Sequence, residues 1–126
     1  MSEEKGKVLV VDDDITLRDM YAERLRAEGY EVEIAQDGEQ GLARATEYKP
    51  DIILLDIMMP KINGFTVLDI LKTTPELKDT PVILLTALIQ EDNKVKGLKA
   101  GASEYIVKSE TMPGEIIEKV SKLIKK

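Results

Sequence analysis

Short apolar runs of strand length recur along the chain and alternate with segments of helical spacing. The runs at 8–11, 52–55 and 82–85 are continuously apolar, which is typical of parallel strands covered by helices on both faces. Two further segments, 31–35 and 104–108, alternate with charge or are flanked by it, which favours positions nearer a sheet edge. The pattern predicts an α/β domain with a five-stranded sheet.

The intervals between these runs predict helices. The first has apolar residues on one face, namely Leu17, Met20, Tyr21 and Leu25. Gly29 marks its end. Asp37 and Asn63, each followed by glycine, predict the starts of the second and third helices, and Pro75 predicts the stop of the third.

The fourth and fifth helices differ in the strength of their signal. In segment 90–99 only Val95 and Leu98 offer apolar anchors and Gly97 interrupts the interior, so we expect the most mobile helix there. The last helix has apolar residues at helical spacing: Ile116, Ile117, Val120, Leu123 and Ile124. Strict alternation of strand and helix predicts a doubly wound sheet, whose ligand crevice lies at the carboxyl ends of the strands.

Composition narrows the functional classes. A chain of 126 residues suits a single domain. Its net charge of -6 argues against direct binding of nucleic acid, which needs clustered Lys and Arg. The absence of histidine excludes Ser-His-Asp catalysis and a phosphohistidine on this chain, and the absence of cysteine excludes disulfides. Because no run is long enough to span a bilayer and the N-terminus is polar, we expect no membrane association and a cytoplasmic location.

Carboxylates stand where two predicted strands end. Asp56 follows the run 52–55, and Asp12, Asp13 and Asp14 follow the run 8–11. Charged groups beside buried strands are rarely tolerated unless they are paired or bound to a metal. These acids predict an oxygen-ligand site for a divalent cation, with one acid left free to act on a substrate. The alternative for Asp12, Asp13 and above all Asp14 is a structural role, in which they only cap the first helix and place negative charge at its N-terminus.

Thr86 and Lys108 follow two further strands. With the acids, they give a set of motifs that resembles the receiver domain of two-component response regulators from Lys7 to the final helix. The matching segments are VVDDD at 10–14, LDIMMP at 55–60, Asn63-Gly64, LTA at 85–87 and Lys108. The resemblance implies a flavodoxin-like fold with five helices, strand order 2-1-3-4-5 and a single, apparently stand-alone receiver domain over 1–126, with its core at about 7–125.

The resemblance implies a role for each strand-end acid. Asp56 is the expected phosphoacceptor, and its phosphoryl donor is a histidine kinase or a histidine phosphotransfer protein. The expected cofactor is Mg2+, for which Mn2+ can substitute; Asp13 and Asp56 bind it directly, Asp12 binds it through water, and Met58 contributes its backbone carbonyl. Phosphoryl transfer depends mainly on positioning and charge neutralisation, which this set supplies.

Other residues are implied to act as a switch. Thr86 donates its hydroxyl to a phosphoryl oxygen, Lys108 pairs with the free carboxylate and then with phosphate, and Tyr105 swings inward on activation. The domain then signals to an unidentified downstream protein through its fourth helix, fifth strand and fifth helix, as a monomer or a phosphorylation-linked dimer. It is expected to be a signalling domain and not an enzyme. Alternative readings are β propensity for Thr86, a solvated cation for Lys108 and core packing for Tyr105.

The chain departs from the family pattern in two places. Receivers usually have proline after the lysine, joined by a cis bond, but this chain has Ser109 and reaches proline only at Pro113. A cis bond before Ser109 would cost about 2.5–4 kcal/mol, so we expect a trans, rerouted loop. Met58 and Leu88 occupy positions that border the path of hydrolytic water, and both are apolar. We therefore expect slow self-dephosphorylation.

Two other classes of function compete with this interpretation. One is a pseudo-receiver, an interaction module that is never phosphorylated and signals by partner binding alone. The other is an enzyme of flavodoxin-like fold that binds a nucleotide or flavin. That class lacks support, because the chain has no glycine-rich phosphate loop and only 4% aromatic residues.

Overall fold

The computed structural model describes residues 5–87, 91–108 and 111–124, with side chains from 91 to 93 excepted. Strands and helices alternate along this part of the chain. The strands are β1 Lys7–Val11, β2 Glu31–Ala35, β3 Ile52–Asp56, β4 Val82–Thr86 and β5 Glu104–Val107. The helices are α1 Ile15–Ala27, α2 Gly38–Tyr48, α3 Gly64–Lys72, α4 Glu91–Lys99 and α5 Pro113–Leu123.

All neighbouring strands are parallel, and their order is β2-β1-β3-β4-β5. This confirms the predicted doubly wound fold and places the two strands of charged pattern, β2 and β5, at the sheet edges. The order reverses between β1 and β3, so the crevice at their carboxyl ends is the expected ligand site.

Three predicted helix starts have the expected caps. Asp14 accepts a hydrogen bond from the backbone N–H of Leu17 at 3.1 Å. Asp37 does the same for Gln40 at 2.9 Å, and Asn63 for Thr66 at 3.0 Å. These bonds satisfy donors that helix geometry leaves free. The structural role of Asp14 as a cap is thus present.

The core lies on both faces of the sheet because alternate strand residues point to opposite sides. One layer packs against α1 and α5 and includes Val8, Val10, Ile52, Leu54, Ile83 and Leu85. The other packs against α2 and α3 and includes Leu9, Val11, Ile53, Leu55, Val82 and Leu84. Strands buried on both faces hold their carboxyl ends in fixed positions, which matters for the site described next.

The prediction that Val95 and Leu98 anchor α4 to the sheet is wrong. Val95 and Leu98 are 45% and 43% exposed, whereas Gly97 is buried. A Cβ added at Gly97 would lie 2.7 Å from Cδ1 of Leu84. The helix therefore contacts the sheet closely through its glycine, and its two larger apolar side chains face largely outward.

The third helix also ends earlier than its stop signal. α3 ends at Lys72, three residues before Pro75.

In the part of the chain that the structure describes, no helix combines the length and apolar character needed to cross a membrane.

Candidate functional site

The carboxyl ends of the strands bring the predicted site residues to one edge of the sheet. Asp56 is the last residue of β3 and Thr86 the last of β4, rather than the residues after those strands. Asp56 is aligned with Leu85, and Thr86 with Val107. Because Lys108 follows β5 directly, the three side chains belong to adjacent strand ends.

Three carboxylates converge at this edge. Asp12, Asp13 and Asp56 each offer an oxygen, and these oxygens lie within 4.8 Å of one another. Asp12 is fully buried and Asp56 is 3% exposed, while Asp13 is exposed to solvent. Hard divalent cations prefer carboxylate oxygens. The donor set therefore fits Mg2+, and it is open on the Asp13 side.

Lys108 contacts two of these acids. Its Nζ lies 2.9 Å from Asp12 Oδ2 and 3.5 Å from Asp56 Oδ1. The expected pairing with Asp56 is present, but the shorter contact is with Asp12. Burial lowers the pKa of Lys108, but the hydrogen bond to Asp12 and the charges of both acids outweigh it, so that the net pKa is raised. Lys108 is therefore a cation at neutral pH.

Asp56 has an unusual acidity. Burial, followed by the charge of Asp12, raises its pKa from 3.8 to about 7; Lys108 and the backbone N–H of Met58 oppose the shift. A buried carboxylate beside another carboxylate resists ionisation. Near neutral pH, Asp56 consequently exchanges between a protonated acid and a carboxylate, and a bound cation would favour the carboxylate.

Backbone contacts hold the acids in place. Asp12 Oδ1 accepts the N–H of Asp14 at 2.9 Å, so both of its oxygens have partners in the protein. Asp56 Oδ1 lies 3.4 Å from the donating N–H of Met58. Behind Asp56, a Cβ added at Gly64 would lie 2.5 Å from the Asp56 carbonyl oxygen. Glycine at 64 allows the first turn of α3 to approach the backbone of Asp56.

Thr86 and Tyr105 lie on adjacent strands near this site. Thr86 is fully buried. Burial raises the pKa of the Tyr105 hydroxyl, and the neighbouring Thr86 side chain lowers it in part. Their role as a switch pair stays a prediction.

The positions expected to tune hydrolysis are only partly described. The Met58 side chain is 55% exposed. Leu88, Ser109 and therefore the Lys108–Ser109 peptide lie outside the described residues. The contribution of the Met58 carbonyl to a metal site stays a prediction.

Sequence reasoning missed one neighbour of the site. Tyr21 was placed only on the apolar face of α1, where it is indeed buried. Burial raises the pKa of its hydroxyl, and the charges of Asp12 and Asp56 raise it further while Lys108 lowers it. These effects place the hydroxyl within electrostatic range of the acidic cluster. Its position seven residues after Asp14, about two helical turns, was the available signal.

Comparisons with known proteins agree with this geometry. The family model of the response regulator receiver domain matches residues 8–121. The chain is 41% identical over 102 residues to the DNA-binding dual master transcriptional regulator RpaA of Synechocystis, a match that covers 81% of this chain and 42% of RpaA. The chain therefore spans less than half the length of this relative.

Solved structures are similar over nearly the whole chain. The chemotaxis response regulator CheY4 of Vibrio cholerae is 34% identical with a TM-score of 0.86, covering 93% of this chain and 97% of CheY4. A chain of the CheX-CheY-BeF3-Mg2+ complex of Borrelia burgdorferi is 30% identical with a TM-score of 0.84, covering 95% and 90%. The protein belongs to the response regulator receiver domain family, the signalling domain of two-component systems.

Proposed function

We propose that the chain accepts a phosphoryl group on Asp56 from a phosphohistidine of a histidine kinase or histidine phosphotransfer protein. The observation that carries this proposal is the convergence of the Asp12, Asp13 and Asp56 oxygens within 4.8 Å beside the Lys108 ammonium. A histidine-free chain needs a carboxylate acceptor, and Asp56 is the buried carboxylate at the end of the central strand β3.

These contacts support the following transfer. An Asp56 carboxylate oxygen forms a bond to phosphorus, the bond from phosphorus to the imidazole nitrogen breaks, and the nitrogen keeps the electron pair. Mg2+, or Mn2+ in its place, would screen the approach of one anion to another when held by Asp13 and Asp56, with Asp12 acting through water. Lys108, whose Nζ lies 3.5 Å from Asp56 Oδ1, would neutralise phosphoryl oxygens on the acceptor. The Borrelia complex, which is similar in structure, contains Mg2+.

The phosphorylated state is proposed to act as a switch. Thr86 donates its hydroxyl to a phosphoryl oxygen, and Tyr105 moves inward with it, which changes the surface of α4, β5 and α5. Such a change requires that phosphate binds one arrangement better than the other. A downstream protein would bind this surface, with the receiver as a monomer or as a phosphorylation-linked dimer.

Self-dephosphorylation is proposed to be slow. Met58 presents an exposed apolar side chain beside the acceptor, which cannot orient an attacking water. The substitutions Met58→Asn and Leu88→Glu should therefore shorten the lifetime of the phosphorylated protein.

Intact mass measurement after incubation with acetyl phosphate and Mg2+ tests the proposal. One phosphoryl group should add to the wild type and to Asp51→Asn, whose carboxylate is at the opposite end of the sheet and accepts the N–H of Lys7 at 2.8 Å. Asp56→Asn should take up none. Phosphate retained on Asp56→Asn would contradict the assignment of the acceptor residue. Phosphate absent from the wild type would contradict the proposed function and leave the pseudo-receiver alternative.

A further inference from the structure

Lys61 has a strained backbone in the loop that joins β3 to α3. Its φ is 70°, and the N–H of Ile62 donates to the carbonyl of Pro60 across it at 2.8 Å. This is a γ-turn with a positive central φ, a rare conformation for a residue that has a side chain. A strained residue persists where its surroundings hold it.

The Lys61 side chain supplies one such restraint. Its Nζ lies 3.6 Å from Asp37 Oδ2 and 3.8 Å from Glu39 Oε2, at the start of α2. The Asp37 side chain is only 9% exposed, and its other oxygen caps the helix through Gln40. A carboxylate largely removed from water needs a counter-charge more than a surface carboxylate does. The contact with Asp37 is therefore the important one of the two.

The same loop is fixed at its other end, beside β3 and β4. The N–H of Ile57 donates to the carbonyl of Leu85 at 3.0 Å, and that of Gly64 donates to the carbonyl of Ile57 at 2.9 Å. Near Lys61, Gly38 of α2 packs so closely on Ile62 that an added Cβ would lie 2.9 Å from the Ile62 carbonyl oxygen. Met58 lies between these two attachments.

We propose that Lys61 is a positioning residue for the divalent-cation site. By pairing with Asp37 it holds the strained loop on α2 and so fixes Met58, whose backbone carbonyl is the ligand predicted from the family resemblance. This inference rests on the proposed function, because it presupposes that the acidic cluster binds Mg2+.

Lys61 could affect Mg2+ binding through its charge alone or by positioning the loop. These two models predict opposite results for Lys61→Gln. If Lys61 acted only through its charge, its loss would strengthen Mg2+ binding, because a positive charge near a cation site would be removed. Loss of the Asp37 charge would weaken it. If the pair positions the loop, both losses weaken binding, and the double variant is no weaker than the weaker single variant.

Isothermal titration with Mg2+ separates these cases. We expect Lys61→Gln and Asp37→Asn each to raise the dissociation constant about threefold to tenfold, a modest effect for a residue outside the ligand shell. Asn retains the helix-capping capacity of Asp37. Lys61→Arg should bind like the wild type. Arg44→Gln breaks the Glu33–Arg44 pair, which is 3.0 Å long and joins α2 to β2, and should leave affinity unchanged.

Each outcome decides the point. Weaker binding by both single variants with a non-additive double variant supports the proposal. Tighter binding by Lys61→Gln, or no change, overturns it while leaving the Mg2+ site intact. A wild type that binds no Mg2+ overturns both the proposal and the function on which it rests. Thermal unfolding in EDTA shows whether a weakened variant is still folded.

Discussion

Charged side chains at the two ends of the parallel sheet have different partners. At the amino end, Asp51 accepts the backbone N–H of Lys7 at 2.8 Å, and Lys72 donates to the carbonyls of Lys78 and Thr80 at 3.2 and 2.9 Å. At the carboxyl end, oxygens of Asp12, Asp13 and Asp56 lie within 4.8 Å of one another, and the pKa of Asp56 is raised to about 7.

The difference separates charged groups that support the fold from charged groups that are proposed to take part in phosphoryl transfer. At the amino end, backbone partners satisfy the charged groups of Asp51 and Lys72 locally. At the carboxyl end, like charges remain close together even though their repulsion costs stability. Perturbed acids of this kind cluster at functional sites. The comparison predicts that substitutions of charged residues at the carboxyl end change Mg2+ binding, whereas substitutions at the amino end change only stability.

The largest effect is expected where the carboxyl end is most tightly packed. In Gly64→Ala the new Cβ would lie 2.5 Å from the Asp56 carbonyl oxygen and 2.7 Å from Ile57 Cα. Because backbone atoms cannot move aside cheaply, the free energy of unfolding should fall by about 2–4 kcal/mol. Denaturant titration measures this. Gly114→Ala is the matched control, since its added Cβ meets no atom within 4 Å beyond its chain neighbours and the backbone of its own helix. This variant should be neutral or stabilising, and an equal loss there would refute the packing argument.

Asp56→Asn should stabilise the metal-free protein above neutral pH. The folded-state pKa of Asp56 is raised, chiefly by burial, to about 7. The native state therefore binds more protons than the unfolded state between about pH 4 and pH 7, and wild-type stability falls as pH rises through that window. The gain in Asp56→Asn should grow over the same window to about 1–3 kcal/mol at pH 8.

Urea unfolding in EDTA at several pH values measures this gain. Asp51→Asn, which alters the acceptor of the Lys7 N–H at the amino end, is the control and should give no gain in stability. A constant difference between Asp56→Asn and wild type from pH 5 to pH 8 would be inconsistent with the raised pKa of Asp56.

Mg2+ affinity should fall as the solution becomes more acidic than pH 7. A protonated Asp56 offers no free carboxylate, so below its folded-state pKa of about 7 the association constant should drop by up to about tenfold per pH unit. Calorimetric titration between pH 6 and pH 8 is the measurement. Affinity that is independent of pH over this range would argue that Asp56 is not a ligand.

The smallest effect is expected at the amino end. Burial lowers the pKa of Lys72, and its ammonium donates to two backbone carbonyls. Lys72→Met keeps the length of the side chain but removes the donor, at a cost of about 1 kcal/mol. Mg2+ affinity should not change. Lys99→Met, at an exposed position of α4, is the control and should alter stability by less than about 0.5 kcal/mol.

Much of the fold could be predicted because parallel strands buried on both faces leave continuous apolar runs. The five strands, their edge positions and the caps at Asp14, Asp37 and Asn63 all follow from local pattern. The strand order came from the family resemblance, because local pattern does not say which strands are neighbours. The meeting of Asp12, Asp13 and Asp56 was predicted because parallel strands end at one edge.

Three features could not be predicted, because they depend on contacts between segments that are distant in the sequence or on the local backbone conformation. Gly97 was interpreted as a weak point of α4, yet the absence of a side chain is what lets the helix approach Leu84. The stronger contact of Lys108 with Asp12 than with Asp56 depends on side-chain packing. Lys61 carried no signal, because a left-handed backbone at a lysine has no composition pattern.

The formal charges at the carboxyl end have a consequence for ion valence. With Asp56 ionised, Asp12, Asp13, Asp56 and Lys108 together carry two negative charges. One divalent ion would make the cluster electroneutral, whereas a sodium ion would leave a negative excess and a lanthanide ion a positive one. The single lysine thus sets the valence at which this cluster is balanced.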